Sequence, residues 1–499
     1  MTDFGNQLSN LDCINLSALF LGSSEQLVVI FTIWNKTLML EPCVGFLLLL
    51  ALLVVTRGRT TPLFIAWLAT SPLLSFWARF PWEKSVLTFD RLMVACLILS
   101  FLCEASARRV PGGFRAGLFE MVWAVFAVFV ILDLSLRGGS QLFAWKTGID
   151  GFVLPLIVLV IARQGVDIKQ LGNGSVLALS LLTVFLVLVG LAELTTHQDL
   201  MVYAGSNLYR EGMVRVNGPF LADHSYALVS LLIGLWLWYW PRISPVPLSP
   251  PIQNIRQVAS LVALCASALP FFRAVWATAV GCALLPAFWS GSTLRRRQLI
   301  LISTVVAGVL AGGTLVLSQT SFFQERVANP DNLYTRLATY QAAWIMFEDN
   351  WLTGVGLTRY TDEYNRTYYN EDDYNRKYPT VHGETPRNSP HNTLLAIWAE
   401  LGLVAGTLYG LAFLLLLLEG YLMSQSSVAS VRQAGQLLVT LWIAYWIPGL
   451  LLASGYYADL NFYFFALCGL LLGRKRDLHE PVLEGKVETT PLQTGTQFA

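Results

Sequence analysis

Long apolar stretches recur along almost the whole chain, and they restrict its possible folds more than any other feature. Each approaches the ~20 residues that a helix needs to cross the hydrocarbon core of a bilayer. About 13 such stretches occur, beginning near Leu38, Pro62, Val86, Ala116, Leu142, Val176, Ser225, Val258, Ala274, Leu299, Ala396, Leu437 and Tyr457. The pattern predicts an all-α polytopic integral membrane protein with about 12–14 transmembrane helices.

The composition supports this class and excludes others. Of the 499 residues, 55% are hydrophobic and only 13% are charged, whereas soluble domains carry about 25% charged residues. The net charge of +1 and the lack of a basic block argue against a nucleic-acid partner. We expect one transmembrane domain over residues 1–473 and a polar, disordered cytoplasmic tail over residues 474–499.

Basic residues fall in alternate loops, and the positive-inside rule makes those loops cytoplasmic. They are Arg57, Arg59, Arg108, Arg109, Arg115, Arg163, Lys169, Arg242, Arg256, Arg295, Arg296, Arg297, Arg474, Lys475 and Arg476. The opposite, outer side then receives a loop at about 195–224, a tight turn at Arg273 and a long loop at about 319–390. Loops that a rigid scaffold presents are where function concentrates.

The long outer loop is rich in tyrosine and contains a predicted helix. It holds eight of the chain's 18 tyrosines, Tyr340 and Tyr360 among them, and a tyrosine ring can either cover a sugar or pack at the membrane interface. Residues Asp331–Asn350 predict an amphipathic helix on the membrane surface. Its apolar stripe consists of Leu333, Leu337, Tyr340, Trp344 and Phe347.

The long loop ends in a short polar motif before an apolar run. Ser389 predicts a helix N-cap and Pro390 the first helical position, which puts His391 and Asn392 in the first turn. A helix N-terminus favours neutral imidazole, and neutral imidazole can accept a proton. His391 is therefore a candidate general base, with a simple polar cap as the alternative.

Three arginines on the predicted outer side are candidate phosphate ligands. Arg273 lies in an apolar turn between two spans, where a charge is costly without a partner. Arg215 precedes Asn217-Gly218-Pro219-Phe220, and Arg336 lies in the predicted amphipathic helix, where a solvated surface arginine is the alternative. Guanidinium groups stay charged and bind phosphate through paired N–H groups.

Other chemistries find less support. Glu371-Asp372-Asp373 is better explained as a solvated acidic loop than as a metal site, and His197, His224, His382 and His479 lack metal-ligand spacing. A transporter would use charges near the bilayer midplane. Lys146 and Asp150, four residues apart in one stretch, are expected to neutralise each other. A transporter of a small anion or a lipid-linked sugar, and a structural envelope protein, remain as alternatives.

The order of these residues resembles that of the O-antigen ligase and O-antigen polymerase superfamily. The resemblance is clearest over Arg215–Gly406. It rests on the three arginines, on His391-Asn392 with Gly402, and on Asn350-Trp351-Leu352-Thr353-Gly354-Val355-Gly356. The chain departs from the usual pattern at Phe272, where serine is frequent, and at Ala405. Neither departure removes a charged group.

The resemblance implies a C-type glycosyltransferase-like fold in the bacterial inner membrane, with a periplasmic active site. It implies an undecaprenyl-diphosphate-linked glycan donor, a glycan or lipid-glycan acceptor, and no metal or nucleotide cofactor. Three activities remain open: ligation to the lipid A core, which the His391-Asn392 motif favours, polymerisation, and protein O-glycosylation. The expected catalytic residues are His391, Arg215 and Arg273; the expected substrate-binding residues are Arg336, Asn392, Tyr340 and Tyr360.

Overall fold

The computed structural model describes residues 40–77, 79–80, 87–108, 116–137, 142–196, 198, 200, 209–210, 213–214, 216–220, 222–244, 246–289, 297, 331–363, 367–368 and 390–478. Within these residues the regular elements are helices and two short antiparallel strand pairs. The first joins β1 (Arg79–Phe80) to β2 (Leu87–Thr88), and the second joins β3 (Tyr209–Arg210) to β4 (Met213–Val214). The predicted all-α class is confirmed.

The first half contributes seven helices among the described residues. They are α1 (Leu40–Thr56), α2 (Thr60–Trp77), α3 (Phe89–Arg108), α4 (Leu118–Arg137), α5 (Leu142–Gly148), α6 (Leu154–Gly165) and α7 (Asn173–Thr196). A single π-helical turn, Ile149–Val153, joins α5 to α6, so these two act as one continuous rod.

The second half contributes eight more described helices. They are α8 (Asp223–Ile243), α9 (Pro250–Ala266), α10 (Arg273–Trp289), α11 (Asp331–Asp349), α12 (Tyr360–Glu363), α13 (Thr393–Ser424), α14 (Ala429–Gly449) and α15 (Ala458–Gly473). Helix α15 packs against α6, α13 packs against α4 and α14, and α11 lies against α13.

Four described segments are long and apolar enough to cross a bilayer. They are Leu118–Arg137, Leu142–Gly165, Asn173–Thr196 and Thr393–Ser424, and shorter apolar helices include Arg273–Leu285. These segments confirm a polytopic membrane protein. The total of about 12–14 spans stays a prediction, because the stretch near Leu299 lies outside the described residues.

Aromatic side chains fill the centre of the bundle around Trp123. Its ring contacts Phe465 of α15 at a centroid distance of 4.7 Å and Phe413 of α13 at 5.4 Å. The indole N–H donates to the carbonyl oxygen of Phe152 at 2.9 Å, so this buried donor is paired. Because lipid is itself apolar, such close packing and internal hydrogen bonding hold helices together in a membrane.

Large apolar side chains also cover much of the outer surface of the described helices. Val54, Leu99, Leu132 and Leu188 are each about half exposed or more, at 69%, 63%, 49% and 62%. A soluble protein rarely exposes apolar patches of this extent. Lipid chains are the solvent that such a surface requires.

The first residues of the predicted disordered tail are ordered, which corrects the expectation for that part of residues 474–499. Arg474–Leu478 form a short 3₁₀ helix in which Arg474 is buried. Lys475 forms an ion pair with Glu419 of α13, and Arg476 donates to the carbonyl oxygen of Arg163. Two of the basic segments assigned to the cytoplasmic side therefore meet at one end of the bundle.

Asp150 has a partner that its sequence neighbours did not indicate. Both its carboxylate oxygens accept from Arg91 of α3, each at 2.8 Å. A guanidinium offers two parallel N–H donors, which match a carboxylate better than a single ammonium does. Asp150 therefore takes part in an ion pair between two helices, while its expected neutralisation by Lys146 stays a prediction.

Helix α11 confirms the predicted helix at Asp331, although a different face of it is buried. Ala342, Ala343 and Met346 pack against α13, while Leu337 and Trp344 of the predicted stripe are each 45% exposed. Small residues make this contact because they let two helix backbones approach closely. The bulkier stripe is left on the outside.

Candidate functional site

Helix α13 is broken at Gly402, and a loop replaces the missing hydrogen bonds. Gly402 has φ 76° and ψ −173°, far from helical values. The carbonyl oxygens of Ala399 and Glu400 instead accept from the backbone of Val355, at 3.0 Å, and Gly356, at 2.7 Å. Buried backbone groups must be paired inside a membrane protein. The helix can therefore break at Gly402 only because the N–H groups of the loop pair with the carbonyl oxygens that the break leaves open.

Glycine is required on both sides of this contact. A Cβ atom at Gly402 would lie 2.3 Å from the carbonyl oxygen of Leu352, and one at Gly354 would lie 2.2 Å from that of Glu400. These distances are far below van der Waals contact. The two glycine-containing motifs of the sequence therefore form one structural unit, which we call the glycine junction (residues 351–356 with 399–403).

Helix α4 also holds the glycine junction. The guanidinium of Arg137 donates to the carbonyl oxygens of Thr353, at 3.2 Å, and Gly354, at 2.7 Å. The Asp133 carboxylate accepts from the backbone of Leu357 at 2.9 Å. The loop is thus fixed from two helices, which gives the start of α13 and the end of α11 a rigid support.

Tyr360 is a buried packing residue in the structure. Its side chain is 1% exposed, and its hydroxyl donates to the carbonyl oxygen of Thr339 in α11 at 2.8 Å. Its backbone N–H donates to Glu400 at 3.2 Å, and the same carboxylate accepts from Tyr456 at 2.7 Å. A ring so enclosed cannot stack on a sugar, so the expected substrate contact becomes a positioning contact.

Asn392 caps α13, and the expected cap at Ser389 with Pro390 in the first turn is wrong. The side-chain oxygen of Asn392 accepts from the backbone of Leu395 at 3.0 Å, and Asn392 itself has extended dihedral angles. Asparagine is among the strongest N-caps, which explains why the helix begins only after it. His391 precedes the cap and lies half-buried at the mouth of the helix.

Tyr340 links α11 to His391. Its hydroxyl lies 2.9 Å from the carbonyl oxygen of His391 and 3.3 Å from that of Leu450, which follows α14. Burial raises the pKa of Tyr340, and the charge of Arg336 lowers it. Since the ordinary tyrosine pKa is about 10, the hydroxyl stays protonated and can donate at neutral pH.

Arg336 and Arg273 come together near this link. Arg336 lies four residues before Tyr340, on the same face of α11, and is half-buried. Arg273 is the first residue of α10 and is exposed, and it lies within electrostatic range of Arg336. Two like charges within range of each other repel, so an anion that reaches both would be bound favourably.

Arg215 lies outside the described residues, but the segment that follows it is well fixed. The buried carboxylate of Glu193, near the end of α7, accepts from the backbone of Asn217 at 3.1 Å and of Gly218 at 2.8 Å. Gly218 has φ 54°, a value that favours glycine. Glu193 thus anchors the motif segment, a role that its sequence context did not suggest.

The structure also packs His224 against the turn that carries Arg273. Its ring centroid lies 4.3 Å from that of Phe272, the residue directly before Arg273. The sequence interpretation considered His224 only as a metal ligand and set it aside. The signal that could have found it is its position four residues after the Gly218-Pro219-Phe220 motif, at the start of an apolar run.

The tyrosine-rich loop is described only in part. The hydroxyl of Tyr368 donates to Asp349 at 2.9 Å, and burial followed by contact with Asp349 raises the pKa of Tyr368. Tyr364, Tyr369, Tyr374 and Tyr378 lie outside the described residues, as does the acidic run Glu371-Asp372-Asp373. Among the residues that are described, no three His, Cys, Asp or Glu side chains form a group that could hold a metal.

Comparison with known families agrees with this arrangement. Residues 258–410 match the family model described as O-antigen ligase. The matched segment includes Arg273, Arg336, the glycine junction and His391-Asn392, so the resemblance read from the sequence is confirmed. The match supports a membrane glycosyltransferase of the O-antigen ligase family. A search of curated proteins finds no match.

Replacing Tyr340 with phenylalanine tests the link between α11 and His391. We expect kcat for glycan transfer to fall about 10-fold, since phenylalanine has no hydroxyl to donate to the carbonyl oxygen of His391 and holds that segment less firmly. The thermal midpoint should change little, because the ring and its packing are kept. Unchanged kcat in Tyr340→Phe would show that the link does not position the site.

Proposed function

We propose that the protein transfers a glycan from undecaprenyl diphosphate to a hydroxyl acceptor on the periplasmic face of the bacterial inner membrane. One observation carries the proposal. Through Tyr340, the helix that bears Arg336 is joined to the backbone of His391, and Arg273 lies within electrostatic range of Arg336. A candidate base and two cations thus lie at one end of the bundle.

The proposed reaction is a single displacement. The acceptor oxygen bonds to the anomeric carbon of the donor glycan, and the bond from that carbon to the phosphate oxygen breaks. The electron pair leaves with the diphosphate. His391 takes the proton from the acceptor hydroxyl as general base.

The arginines stabilise the diphosphate as negative charge develops on it. Arg273 and Arg336 supply fixed positive charge, and Arg215 is proposed to join them from the segment that Glu193 anchors. Preorganised charge of this kind is often the largest contribution to catalysis. Because the diphosphate is a good leaving group, the proposed mechanism needs no metal or nucleotide cofactor.

The remaining predicted substrate contacts are assigned differently. Asn392 uses its side-chain oxygen to cap α13, and Tyr360 uses its hydroxyl within the protein. We therefore assign both to positioning, and Tyr340 as well. Substrate contact is kept for the arginines and His391.

The acceptor distinguishes three activities within this proposal. Ligation to the lipid A core is our first candidate. The others are polymerisation, in which the acceptor is a second lipid-linked glycan, and protein O-glycosylation, in which the acceptor is a protein hydroxyl. The test reconstitutes the full chain in vesicles with a lipid-diphosphate oligosaccharide and each acceptor in turn. Transfer to one acceptor identifies the activity, and no transfer to any of the three would overturn the proposal.

Replacing Arg273 tests the charge stabilisation. We expect Arg273→Ala to lower kcat/KM about 100-fold, and Arg273→Lys to recover only part of it, since one ammonium cannot reproduce two parallel N–H donors. Arg59→Ala is the matched control, an exposed arginine in the opposite set of loops. Equal activity of Arg273→Ala and Arg59→Ala would remove Arg273 from the mechanism.

A further inference from the structure

His224 is held in one orientation by its own neighbour. Oδ1 of Asp223 contacts Nδ1 of the His224 ring and also accepts from the His224 backbone N–H at 2.8 Å. An ionised carboxylate only accepts hydrogen bonds, so Nδ1 carries the proton. The imidazole therefore directs Nε2 away from Asp223, and none of the described residues forms a hydrogen bond with Nε2.

Aromatic rings fix the plane of the imidazole. The His224 ring lies 4.3 Å from Phe272 and 5.7 Å from Tyr457, and it is stacked on Tyr457 with an interplanar angle of 23°. Only 13% of the His224 side chain is exposed. In many sites a carboxylate binds one ring nitrogen of a histidine and so orients the other nitrogen toward a ligand. Asp223 and the stacked ring of Tyr457 orient Nε2 of His224 in this way.

The surroundings place this nitrogen at the end of the bundle that carries the candidate site. Phe272 directly precedes Arg273 in the chain. Tyr457 ends the short connection that starts at Leu450, the residue whose carbonyl oxygen faces the Tyr340 hydroxyl. His224 is thus packed against both the arginine turn and the connection that contacts Tyr340.

We propose that His224 binds the diphosphate of the lipid-linked donor through Nε2–H, an inference that rests on the proposed function. With the diphosphate bound, the ring donates from Nδ1 to Asp223 and from Nε2 to a phosphate oxygen, and an imidazole that donates from both nitrogens is an imidazolium. When the bond to the anomeric carbon breaks, the electron pair goes to a phosphate oxygen that His224 stabilises by a charge-assisted hydrogen bond. The proton from the acceptor goes to His391, so the two histidines have separate tasks.

Two substitutions separate this role from a structural one. His224→Phe keeps a ring between Phe272 and Tyr457 but has no N–H group. His224→Gln loses the ring and keeps an N–H donor at similar reach. We expect His224→Phe to lower kcat about 10- to 100-fold and to weaken inhibition by undecaprenyl diphosphate about 10-fold, the loss of one charge-assisted hydrogen bond. His224→Gln should retain more activity than His224→Phe.

The readouts keep this inference apart from the proposed function. Binding of undecaprenyl diphosphate to the wild-type chain and to His224→Phe in detergent is measured directly, with undecaprenol as the uncharged control. If the wild type transfers no glycan but binds the diphosphate lipid more tightly than His224→Phe does, only the transfer proposal fails. Equal diphosphate affinity of the two proteins overturns the role of His224, whatever the transfer assay gives.

Discussion

Replacing His391 with alanine is expected to reduce glycan transfer at least about 100-fold, since a positioned general base contributes at least that much. The acceptor hydroxyl would then have no positioned group to take its proton. The measurement is transfer from a lipid-diphosphate oligosaccharide in reconstituted vesicles, with the amount of inserted protein determined in the same preparation.

The structure makes this substitution a clean one. Tyr340 contacts the backbone carbonyl oxygen of residue 391, which alanine keeps, and the cap of α13 is the side chain of Asn392. We therefore expect His391→Ala to insert with the start of α13 intact. The complementary variant is Tyr340→Phe, which removes the hydrogen bond to the backbone of residue 391 and keeps the imidazole of His391. Near wild-type transfer by His391→Ala would exclude His391 as the base.

Gly402→Ala is expected to cause the largest loss of stability. Its dihedral angles, φ 76° and ψ −173°, lie in a region that essentially only glycine occupies. An added Cβ would lie 2.3 Å from the carbonyl oxygen of Leu352, part of a backbone that is hydrogen-bonded in place. Strain and overlap together should cost at least about 3 kcal/mol. The measurement is the thermal midpoint in detergent, together with the yield of inserted protein.

Gly410→Ala in the same helix is the matched control. It lies in regular helix, and its added Cβ would meet Leu394 at an ordinary 3.6 Å. Alanine is the better helix former by about 1 kcal/mol, so Gly410→Ala should melt at the wild-type temperature or slightly above. If Gly402→Ala and Gly410→Ala had the same thermal midpoint, the account of the glycine junction would be wrong.

Several parts of the fold could be predicted from the sequence because they depend on local properties. The apolar stretches show a membrane protein since each must itself be long enough to cross a bilayer. Helix α11 was expected from Asp331 to Asn350 and ends at Asp349. His391-Asn392 and Gly402 carried a resemblance to a family, and the match over residues 258–410 confirms that resemblance, while the roles of these residues stay predictions.

The contacts within the candidate site could not be predicted, because they join residues far apart in the chain. Asp150 pairs with Arg91, 59 positions earlier, and Tyr340 reaches His391, 51 positions later. Helical periodicity predicts which face of a helix is apolar but not which helix covers it. For this reason Tyr360 was expected at a sugar and is found in the core.

By itself, the sequence determined that the protein is a helical membrane protein, and its arginines and His391 pointed to phosphate chemistry on one side of the bilayer. Hydropathy and residue type are local properties, so they can be read from the sequence without knowledge of the tertiary structure. Only the tertiary structure decided that the two glycine motifs form one junction, that Glu193 anchors the segment after Arg215, and that His224 packs against Phe272, next to Arg273 in the chain. Each depends on close approach of distant segments, which packing alone determines.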